Sequence, residues 1–553
     1  MKKRLSIAAA AAVALLTTAF AVGARKSDDN AVARNLVTFN SIVKELELNY
    51  VDSINPDRSF KEAIGAFLST VDPYTEYYDS EEQEALEKMT TGEYGGIGSV
   101  IMERDGSTYV SSPMENSPAA KVGMRPGDRI IRVDSTDTSR KGVQEVTKLL
   151  RGVPGTEVQV RVIRPWSTDS IIDFTLERAK LQEPSVPYYG VIDGGTGYIH
   201  LSSFIDKSPV AVRSILEQFK KNPEVKNVVL DLRGNGGGLL EAAVDIVSNF
   251  VPKGTEVVRT RYKNGTEKVY KTTRTPLFPD IPLAVLIDGG TASSSEIVAG
   301  AIQDLDRGVL IGTRSFGKGL VQTTRPLPYS GLLKVTVAKY YTPSGRLIQA
   351  LDYAHRNEDG SVERVPDSLT HEYKTLHGRV MRDGGGLSPD SVIDWGKINR
   401  IVYNVVRDNW AFDYATKFAA EHPQIAPAEE FVITDEIYAD FKKSIDPNRF
   451  KYDKVMEEGL KQLREIAGEE GYSNAETDSV FNRLGELLVH NLDKDLDTNR
   501  KSIEQYLGSE IVGRYYYDRG RVAWSLRDDK ALDAAEAILN DPQKYNSILN
   551  KKK

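Results

Sequence analysis

Two short segments of the chain carry residues that could perform chemistry together. The first, residues 289–297, reads GGTASSSEI, a small and hydroxyl-rich turn that leads into an apolar helical pattern. The second, residues 315–322, reads SFGKGLVQ and holds Lys318 between two glycines. Both follow apolar segments that are typical of buried strands. A serine hydroxyl activated by a lysine amine, without histidine, is the chemistry that this pair of segments indicates.

Ser293 is the candidate nucleophile of the first segment. It follows a strand predicted over 282–288, and the next helix is predicted to begin within about a residue of it. Its hydroxyl would therefore lie near backbone N–H groups and the positive end of the helix dipole. A structural interpretation is also open, because serine is preferred at helix N-caps and Glu296 could complete a capping box. Since three serines follow one another, the register is open by one residue.

Lys318 is the candidate base. An exposed lysine has a pKa of about 10.4 and is a poor base at neutral pH. Burial against apolar neighbours such as Leu320 and Val321 disfavours the charged form and would lower that pKa. A surface lysine in a turn and a phosphate-binding lysine are the alternatives. The phosphate-loop pattern fits from Gly312 to Lys318 but fails at Gly319, where Ser or Thr is required.

A third element, residues 231–238, reads DLRGNGGG and places a glycine run directly after a strand predicted over 228–232. Such a run can turn backbone N–H groups toward a developing oxyanion. A tight strand-to-helix turn and a phosphate-binding loop are also open. A dinucleotide site is disfavoured, because the third glycine of that fingerprint is missing.

The composition limits the function classes. A chain of 553 residues is too long for one core. Its net charge of −7 argues against a nucleic-acid partner, whose binding surface is usually basic. The absence of cysteine excludes disulfides and thiolate sites. The six histidines show no His-x-x-x-His spacing, so no metal or other cofactor is expected.

Residues 1–24 have the pattern of an export signal. Lys2, Lys3 and Arg4 precede an apolar, alanine-rich run over 5–20, and small residues follow it. Because the run is short for a membrane span, we expect a removed signal rather than a retained anchor, and no stable membrane insertion afterwards. The mature protein is then expected in the periplasm or elsewhere in the cell envelope.

Residues 92–178 change to short strands separated by turn signals. The markers are a Gly-x-Gly turn at 96–98, a helix start at Ser117 and Pro118, and the series PGDRIIRV over 126–133. Together they resemble a PDZ domain. The resemblance implies that an extended peptide adds to a sheet edge while its carboxylate is bound by backbone N–H groups of Gly96, Ile97 and Gly98. Proteins or peptides with free C-termini are therefore the expected partners.

These patterns predict a multidomain α/β protein. Its parts are a signal peptide (1–24), an N-terminal helical region (25–91), a PDZ domain (92–178), an α/β core (179–350), a loop and strand extension (351–398) and a C-terminal helical region (399–553). The helical ends could pair subunits, so a homo-oligomer is one expectation.

In this order, the motifs are similar to those of the carboxyl-terminal processing (tail-specific) protease family, over about residues 31–350. The resemblance implies a core of the ClpP/crotonase type and an endopeptidase that processes or degrades proteins. The residue roles that it implies are the nucleophile Ser293, the base Lys318, the lysine-orienting Gln322, and oxyanion donors in the backbone N–H groups of Gly237 and Ser294. Glu296 matches the glutamate that this family has close to its nucleophile. Ser294 departs from the family, which commonly has alanine there.

Two other functions remain as alternatives. A non-catalytic PDZ adaptor could be built on a degenerate protease core, although the Ser/Lys/Gln set is intact. An acyl-CoA enzyme of the crotonase type would share the core fold, but it would have no use for an export signal or a PDZ domain. A trypsin-like PDZ protease is disfavoured, since no Gly-Asn-Ser-Gly-Gly nucleophile loop occurs.

Overall fold

The computed structural model describes residues 29–80, 82, 90–167, 170–353, 355–357, 359–397 and 399–550. The predicted export signal over 1–24 lies outside these residues. The described residues divide into two compact units, the first ending at residue 70 and the second beginning at residue 71. Across the described part of the chain, no helix combines the length and the apolar character needed to cross a membrane.

The first unit contains the helices α1 (Asp29–Asn49) and α2 (Pro56–Ser69). Asn55 is the N-cap of α2 and its side chain accepts a hydrogen bond from the Arg58 N–H, while Pro56 occupies the first turn. Both are favourable helix-start residues. The rings of Phe39 and Phe60 meet edge to face, with centroids 6.1 Å apart. The helical prediction is therefore confirmed for this part of the N-terminal region.

The second unit begins with the strand β1 (Glu76–Tyr78), which the helical prediction for 25–91 did not anticipate. The elements of the predicted PDZ domain follow: β2 (Glu93–Gly96), β3 (Ser99–Arg104), β4 (Ser107–Pro113), α3 (Pro118–Lys121), β5 (Arg129–Val133), β6 (Thr136–Asp137), α4 (Val143–Leu150), β7 (Glu157–Ile163) and β8 (Ile171–Glu177). Strand β9 (Ala179–Gln182) comes just after the predicted end of the domain at residue 178. Its sheet has the order β3-β4-β5-β7-β8, with β6 beside β5, so β3 is an edge strand. Strands β2 and β9 pair antiparallel, so the chain enters and leaves the domain side by side.

The α/β core and its extension contain the next elements. They are β10 (Tyr188–Ile192), β11 (Thr196–His200), α5 (Ser208–Lys221), β12 (Asn227–Asp231), α6 (Leu240–Val247), β13 (Glu256–Tyr262), β14 (Glu267–Lys271), β15 (Leu283–Ile287), α7 (Ser294–Asp304), β16 (Val309–Gly312), β17 (Leu320–Pro326), β18 (Leu332–Tyr341), β19 (Glu372–Lys374), β20 (Val380–Arg382) and β21 (Ser391–Val392).

The central sheet of the core has the order β10-β11-β12-β15-β16-β21. Strands β11, β12, β15 and β16 are parallel and buried, and burial on both faces explains the continuous apolar sequence of β15 and the apolar centre of β12. Val228 and Leu230 pack toward α5, α6 and α7, while Val229 packs into the opposite face. Because parallel strands end at the same edge of a sheet, the loops after β12 and β15 meet there. These are the glycine loop and the serine loop.

A second sheet carries the lysine loop. Strand β17 pairs with one edge of β18, and β1 and β13 pair with the other edge. The polar, turn-rich sequence of residues 251–280 predicts a hairpin or flap on the surface, and this prediction is half right. Strands β13 and β14 do form a hairpin, but Val257 and Val258 are fully buried in the main core, so β13 is a structural strand and not a flap.

The C-terminal region is helical, as predicted from residue 399. Its helices are α8 (Arg400–Arg407), α9 (Trp410–Glu421), α10 (Asp435–Ser444), α11 (Val455–Glu469), α12 (Ala475–Leu487), α13 (Leu492–Thr498), α14 (Arg500–Ser525), α15 (Lys530–Leu539) and α16 (Pro542–Ile548). Residues of α8, α9, α10, α13 and α14 share one apolar core. Helices α15 and α16 pack instead against the second face of the central sheet, where Leu532 and Ala535 contact the side of β12 and β15 that α5, α6 and α7 leave open. The last helices thus complete a three-layer core.

Candidate active site

Ser293 ends the loop after β15 and is the N-cap of α7. Its backbone has φ 58° and ψ −117°. Residues with a Cβ adopt this conformation rarely, because it costs conformational free energy. The surrounding chain holds it there. Its carbonyl accepts hydrogen bonds from the Ile297 N–H and from the Tyr340 hydroxyl, both at 3.0 Å. A strained serine at the start of a helix, beside a sheet edge, is well placed to present a nucleophile.

The three consecutive serines have different environments, which the sequence could not separate. The Ser294 hydroxyl donates to the Gly238 carbonyl and the Ser295 hydroxyl to the Asn235 carbonyl, each at 2.8 Å. Both residues are buried, whereas Ser293 is half-buried. The two buried hydroxyls therefore tie the serine loop to the glycine loop. Ser293 is the member of the three that is not fully buried.

The glycine loop lies directly against the serine loop at Gly237. The φ of Gly237 is 99°. A Cβ at this residue would lie 2.8 Å from the Ser293 Cβ and 2.8 Å from the Ser294 nitrogen. Only glycine fits such an approach. Ser294 is the first residue of α7, where backbone N–H groups lack helical partners and meet the positive end of the dipole. The two predicted oxyanion donors are thus neighbours.

The Gly237 N–H is engaged in this structure, since it donates to Oδ1 of Asn235 at 2.8 Å. Asn235 itself is fully buried, and its side-chain amide donates to the Leu201 carbonyl. An oxyanion at this position would have to take the Gly237 N–H from Asn235 or use the neighbouring Gly236. The assignment of Gly237 and Ser294 as donors stays a prediction.

Lys318 lies in the loop between β16 and β17, and its flanking glycines are required by close packing. A Cβ on Gly317 would lie 2.4 Å from the Ala350 Cβ, and a Cβ on Gly319 would lie 2.9 Å from the Gln349 nitrogen. The Gly319 N–H donates to Oε1 of Gln349 at 2.7 Å. The lysine loop is therefore pressed against the segment around residue 350.

The carboxylate of Glu296 connects the serine and lysine loops. Its Oε2 accepts from the backbone N–H groups of Ser293 and Lys318, each at 2.9 Å, so these two nitrogens are at most about 5.8 Å apart. Its Oε1 accepts from the Ser315 hydroxyl and the Gly317 N–H, at 2.5 and 2.8 Å. Burial raises the pKa of Glu296, while these four hydrogen bonds oppose the rise. The sequence suggested a capping role for Glu296 but gave no sign of this bridge.

The environment of Lys318 favours a neutral amine. Burial lowers its pKa below the ordinary 10.5, and repulsion from Lys334 lowers it further. Three carboxylates oppose this shift: Asp72, Glu76 and Glu296. The direction is the one that the proposed base requires, because only the unprotonated amine can accept a proton from serine.

Tyr74 covers the lysine, and the sequence pattern did not single it out. The Lys318 Nζ lies 4.2 Å from the centroid of the Tyr74 ring. Tyr74 is held by a turn in which Oδ1 of Asp72 accepts the N–H groups of Tyr74 and Thr75, both at 2.8 Å. The Tyr353 ring meets Tyr74 edge to face, at 6.0 Å. The Asp-Pro sequence at 72–73 signals such a turn, but not what its tyrosine would touch.

Gln322 lies on β17, and its side-chain amide is hydrogen-bonded to a threonine of β18. Its Nε2 donates to Oγ1 of Thr336 at 3.1 Å, across the β17–β18 pair. The Thr336 N–H in turn donates to Oγ1 of Thr75 at 3.3 Å. The glutamine therefore links β17 to the segment that carries Tyr74. Its predicted role in orienting Lys318 stays a prediction.

The predicted peptide-binding loop leads into the edge strand of the PDZ domain. Gly96 ends β2, and Gly98, with φ 74°, precedes β3. A Cβ on Gly98 would lie 2.3 Å from the Ser117 Cβ, so this turn needs glycine. Ile97 is buried, and its carbonyl accepts from the Ala119 N–H at 2.9 Å. Because β3 has one unpaired edge, the geometry permits an added peptide strand.

Within the described ranges, no group of three or more His, Asp or Glu side chains is arranged to hold a metal ion.

Comparison with known proteins agrees with this arrangement. The model of peptidase family S41 matches residues 195–353, a PDZ domain model matches residues 109–164, and the model of the probable PDZ-protease C-terminal helical domain matches residues 401–539. The first covers the loops that carry Ser293 and Lys318.

Individual relatives point the same way. The carboxy-terminal-processing protease of Bartonella bacilliformis is 35% identical over 323 residues, which are 58% of this chain and 73% of the relative. The carboxy-terminal processing protease CtpA of Bacillus subtilis is 33% identical over 310 residues, 56% of this chain and 66% of the relative. Among solved structures, a photosystem II D1 C-terminal processing protease is 28% identical, with a TM-score of 0.36, and covers 64% of this chain and 86% of its own.

Proposed function

Because this chain belongs to the carboxy-terminal processing serine proteases of peptidase family S41, we propose that it is an exported endopeptidase with a Ser293–Lys318 dyad. Ser293 is the nucleophile and Lys318 is the general base. The PDZ domain binds the free C-terminus of the substrate. The observation that carries the dyad is the Glu296 carboxylate, which holds the backbone of both residues on one oxygen.

The reaction begins with proton transfer from the hydroxyl to the amine. The neutral Lys318 Nζ accepts the proton of the Ser293 hydroxyl while Oγ forms a bond to the peptide carbonyl carbon. The carbonyl π electrons move to oxygen, and backbone N–H groups of Ser294 and the glycine loop stabilise that oxyanion. The Lys318 ammonium then gives its proton to the leaving nitrogen, and the C–N bond breaks. An acyl-enzyme on Ser293 remains.

Water completes the cycle. Lys318, neutral again, accepts a proton from a water molecule that attacks the acyl carbon, and the second oxyanion is stabilised by the same N–H groups. Collapse of this intermediate breaks the bond to Oγ and returns the proton to Ser293. Burial of Lys318 supports both halves of the cycle, because the amine has to be unprotonated at the start of each.

The dyad is tested by cleavage of unfolded casein with single-residue variants. We expect Ser293→Ala to abolish cleavage. Ser294→Ala and Ser295→Ala should keep measurable turnover, because the lost hydroxyls tie the two loops together and do not attack the substrate. Persistent cleavage by folded Ser293→Ala protein would overturn the assignment of the nucleophile.

Selection by the free C-terminus is tested with a matched pair of peptides. The two have the same sequence and end in a carboxylate or in an amide. The carboxylate peptide should be cleaved with the lower KM, since the backbone N–H groups at residues 96–98 are proposed to bind its charge. Equal KM values for the two peptides would remove this part of the proposal.

Export rests on residues 1–24 alone. Expression of the full chain in a Gram-negative host, followed by fractionation and N-terminal sequencing, should yield a periplasmic protein that begins close to residue 25. A protein that keeps Met1 and stays in the cytoplasm would contradict export.

A further inference from the structure

The glycine loop begins at Arg233, which lies between two carboxylates. Asp231, at the end of β12, accepts from the Arg233 N–H, Nε and Nη2, and it is almost completely buried. On the other side, Asp529 accepts from Nη1 at 3.0 Å and from Nη2 at 2.5 Å. Such a two-point pair fixes the plane of the guanidinium as well as its position. The first residue of the loop is thus clamped from both sides.

Asp529 has a second task at the same time. It is the N-cap of α15, and its Oδ1 accepts from the N–H groups of Ala531 and Leu532, at 2.9 and 3.2 Å. Helix α15 is packed on the second face of the central sheet, so its N-terminus is fixed relative to β12. The clamp on Arg233 therefore connects the C-terminal helices to the sheet edge that carries the active site.

The glycine loop transmits the position of Arg233 to Ser293. The Gly234 N–H donates to Oδ1 of Asp288, at the start of the serine loop. The Asn235 carbonyl accepts from the Ala292 N–H at 3.0 Å and from the Ser295 hydroxyl at 2.8 Å. Gly237 then lies against Ser293 itself. Gly234 and Asn235 are thus held by hydrogen bonds to the serine loop, and Gly237 is confined by its contact with Ser293.

Neutralisation of the Arg233 charge does not by itself explain why Asp529 is present in addition to Asp231. Asp231 already supplies one negative charge to one guanidinium, and it occupies Nε and Nη2. Asp529 adds the contact to Nη1, which Asp231 does not reach. Its own charge is accommodated by the N-terminus of α15, where a carboxylate is favourable. What Asp529 adds is therefore a fixed orientation of Arg233.

We propose that Asp529 is a positioning residue for catalysis, through which the C-terminal helix α15 sets the glycine loop against Ser293. The inference rests on the proposed role of Ser293 as nucleophile. A displacement of about 1 Å in a catalytic group can lower turnover by about 100-fold. Loss of the clamp should therefore reduce kcat and leave substrate binding at the PDZ domain unchanged.

The chain offers a matched control in Asp541. It is the N-cap of α16, and its Oδ1 accepts from the N–H groups of Gln543 and Lys544, both at 3.0 Å. Asp541 thus caps a helix as Asp529 does, and within the part of the chain that the structure describes it has no arginine partner. Asparagine preserves an N-cap acceptor and removes the charge. Asp529→Asn and Asp541→Asn therefore both keep a helix cap, but only Asp529→Asn removes the charged partner of Arg233.

The experiment measures kcat and KM of the full-length enzyme with a peptide that has a free C-terminus, together with thermal unfolding. Asp529→Asn should lower kcat about 10- to 100-fold with KM unchanged. Asp529→Glu should have a kcat between that of Asp529→Asn and that of the parent. Asp541→Asn should stay within about twofold of the parent kcat. A kcat for Asp529→Asn within twofold of the parent, or an equal loss in Asp541→Asn, would overturn the proposal.

Two further variants keep the test decisive. If Asp529→Asn does not accumulate as folded protein, Arg233→Lys replaces it, because lysine can keep one carboxylate contact but not the two-point pair. The same loss in kcat is expected for Arg233→Lys, and an unchanged kcat would refute the clamp.

Ser293→Ala separates the two proposals. If it is inactive while Asp529→Asn is fully active, only the clamp fails; if Ser293→Ala is active, the nucleophile itself is wrong.

Discussion

The Nζ of Lys318 lies 4.2 Å from the centroid of the Tyr74 ring. The tyrosine comes from the segment before the PDZ domain, and the lysine from the loop that follows the core strand β16. Two effects on the amine oppose each other here. The ring excludes water, which disfavours the ammonium, and its π face attracts a cation. Burial is the largest cause of the lowered pKa of Lys318, so we expect the exclusion of water to outweigh the attraction by the ring.

Tyr74→Ala should therefore raise the pKa of Lys318, because it admits water to the amine. Activity that depends on the neutral amine increases as pH rises through this pKa. The acidic limb of the kcat/KM profile should then move to higher pH in Tyr74→Ala. Tyr74→Phe is the matched control, since it keeps the ring and loses only the hydroxyl. The acidic limb of its kcat/KM profile should lie at the same pH as in the parent. A shift to lower pH in Tyr74→Ala would mean that the π face outweighs burial.

Two charged neighbours of Lys318 should shift the same profile in opposite directions. Lys334 lowers the pKa of Lys318 by repulsion, and Glu76 raises it by attraction. Lys334→Met should therefore move the acidic limb to higher pH, and Glu76→Gln should move it to lower pH. The two side chains form a salt bridge at 2.7 Å, so each variant also frees the other partner, which enlarges both shifts. Shifts of the same sign in both variants would contradict the assignment of this limb to Lys318.

Glu296→Gln should disable the site while leaving its volume unchanged. Each carboxylate oxygen accepts two hydrogen bonds, so the amide NH₂ of glutamine would face two donors and could accept neither. We expect a loss of stability of about 1–3 kcal/mol for the unsatisfied buried groups. We also expect kcat to fall by at least about tenfold, because the backbones of Ser293 and Lys318 lose their common anchor.

Ser315→Ala is the control for Glu296→Gln. It removes one donor to Oε1 and leaves both contacts of Oε2, to Ser293 and Lys318, in place. Its stability should fall while kcat stays within a few-fold of the parent. Equal losses of kcat in the two variants, measured at a temperature where both are folded, would show that Glu296 acts only on stability.

Two adjacent glycines offer a direct test of the contact between the glycine and serine loops. A Cβ on Gly237 would lie 2.8 Å from the Ser293 Cβ at a φ of 99°, whereas a Cβ on Gly236 would meet nothing within 4 Å. Gly237→Ala should therefore lower kcat by about 100-fold or more, the scale of a lost oxyanion donor. Gly236→Ala should retain most of it. Comparable activities of the two variants would argue against the observed packing of this loop.

Much of the site was predictable because its loops carry local signals. The strands over 227–231 and 283–287 are apolar and β-branched, and each is followed by small residues, so the glycine and serine loops could be placed at one sheet edge. Lys318 could be identified from its flanking glycines and from the family pattern. In each case the information lies within about ten residues of sequence.

The rest depends on contacts between distant segments, which local patterns do not encode. Tyr74 reaches Lys318 through the pairing of β1 with β18, and Asp529 reaches Arg233 because α15 folds back onto the central sheet. The different environments of the three serines also required the fold, since only the structure shows which of their hydroxyls bind the glycine loop. The sequence around β13 indicates a polar surface segment, because Val257 and Val258 are the only apolar residues of this strand that are buried in the core.

The central claim is that an unprotonated Lys318 activates Ser293. Its most direct test is the rate at which a fluorophosphonate forms an adduct on Ser293, followed by peptide mass spectrometry across pH in the parent enzyme and in Lys318→Met. We predict an adduct on Ser293 in the parent, formed at a rate that rises with pH through a pKa below the ordinary lysine value of 10.5, and a loss of at least about 100-fold in Lys318→Met. Labelling of Lys318→Met at the parental rate, or an adduct on a residue other than Ser293, would contradict the claim.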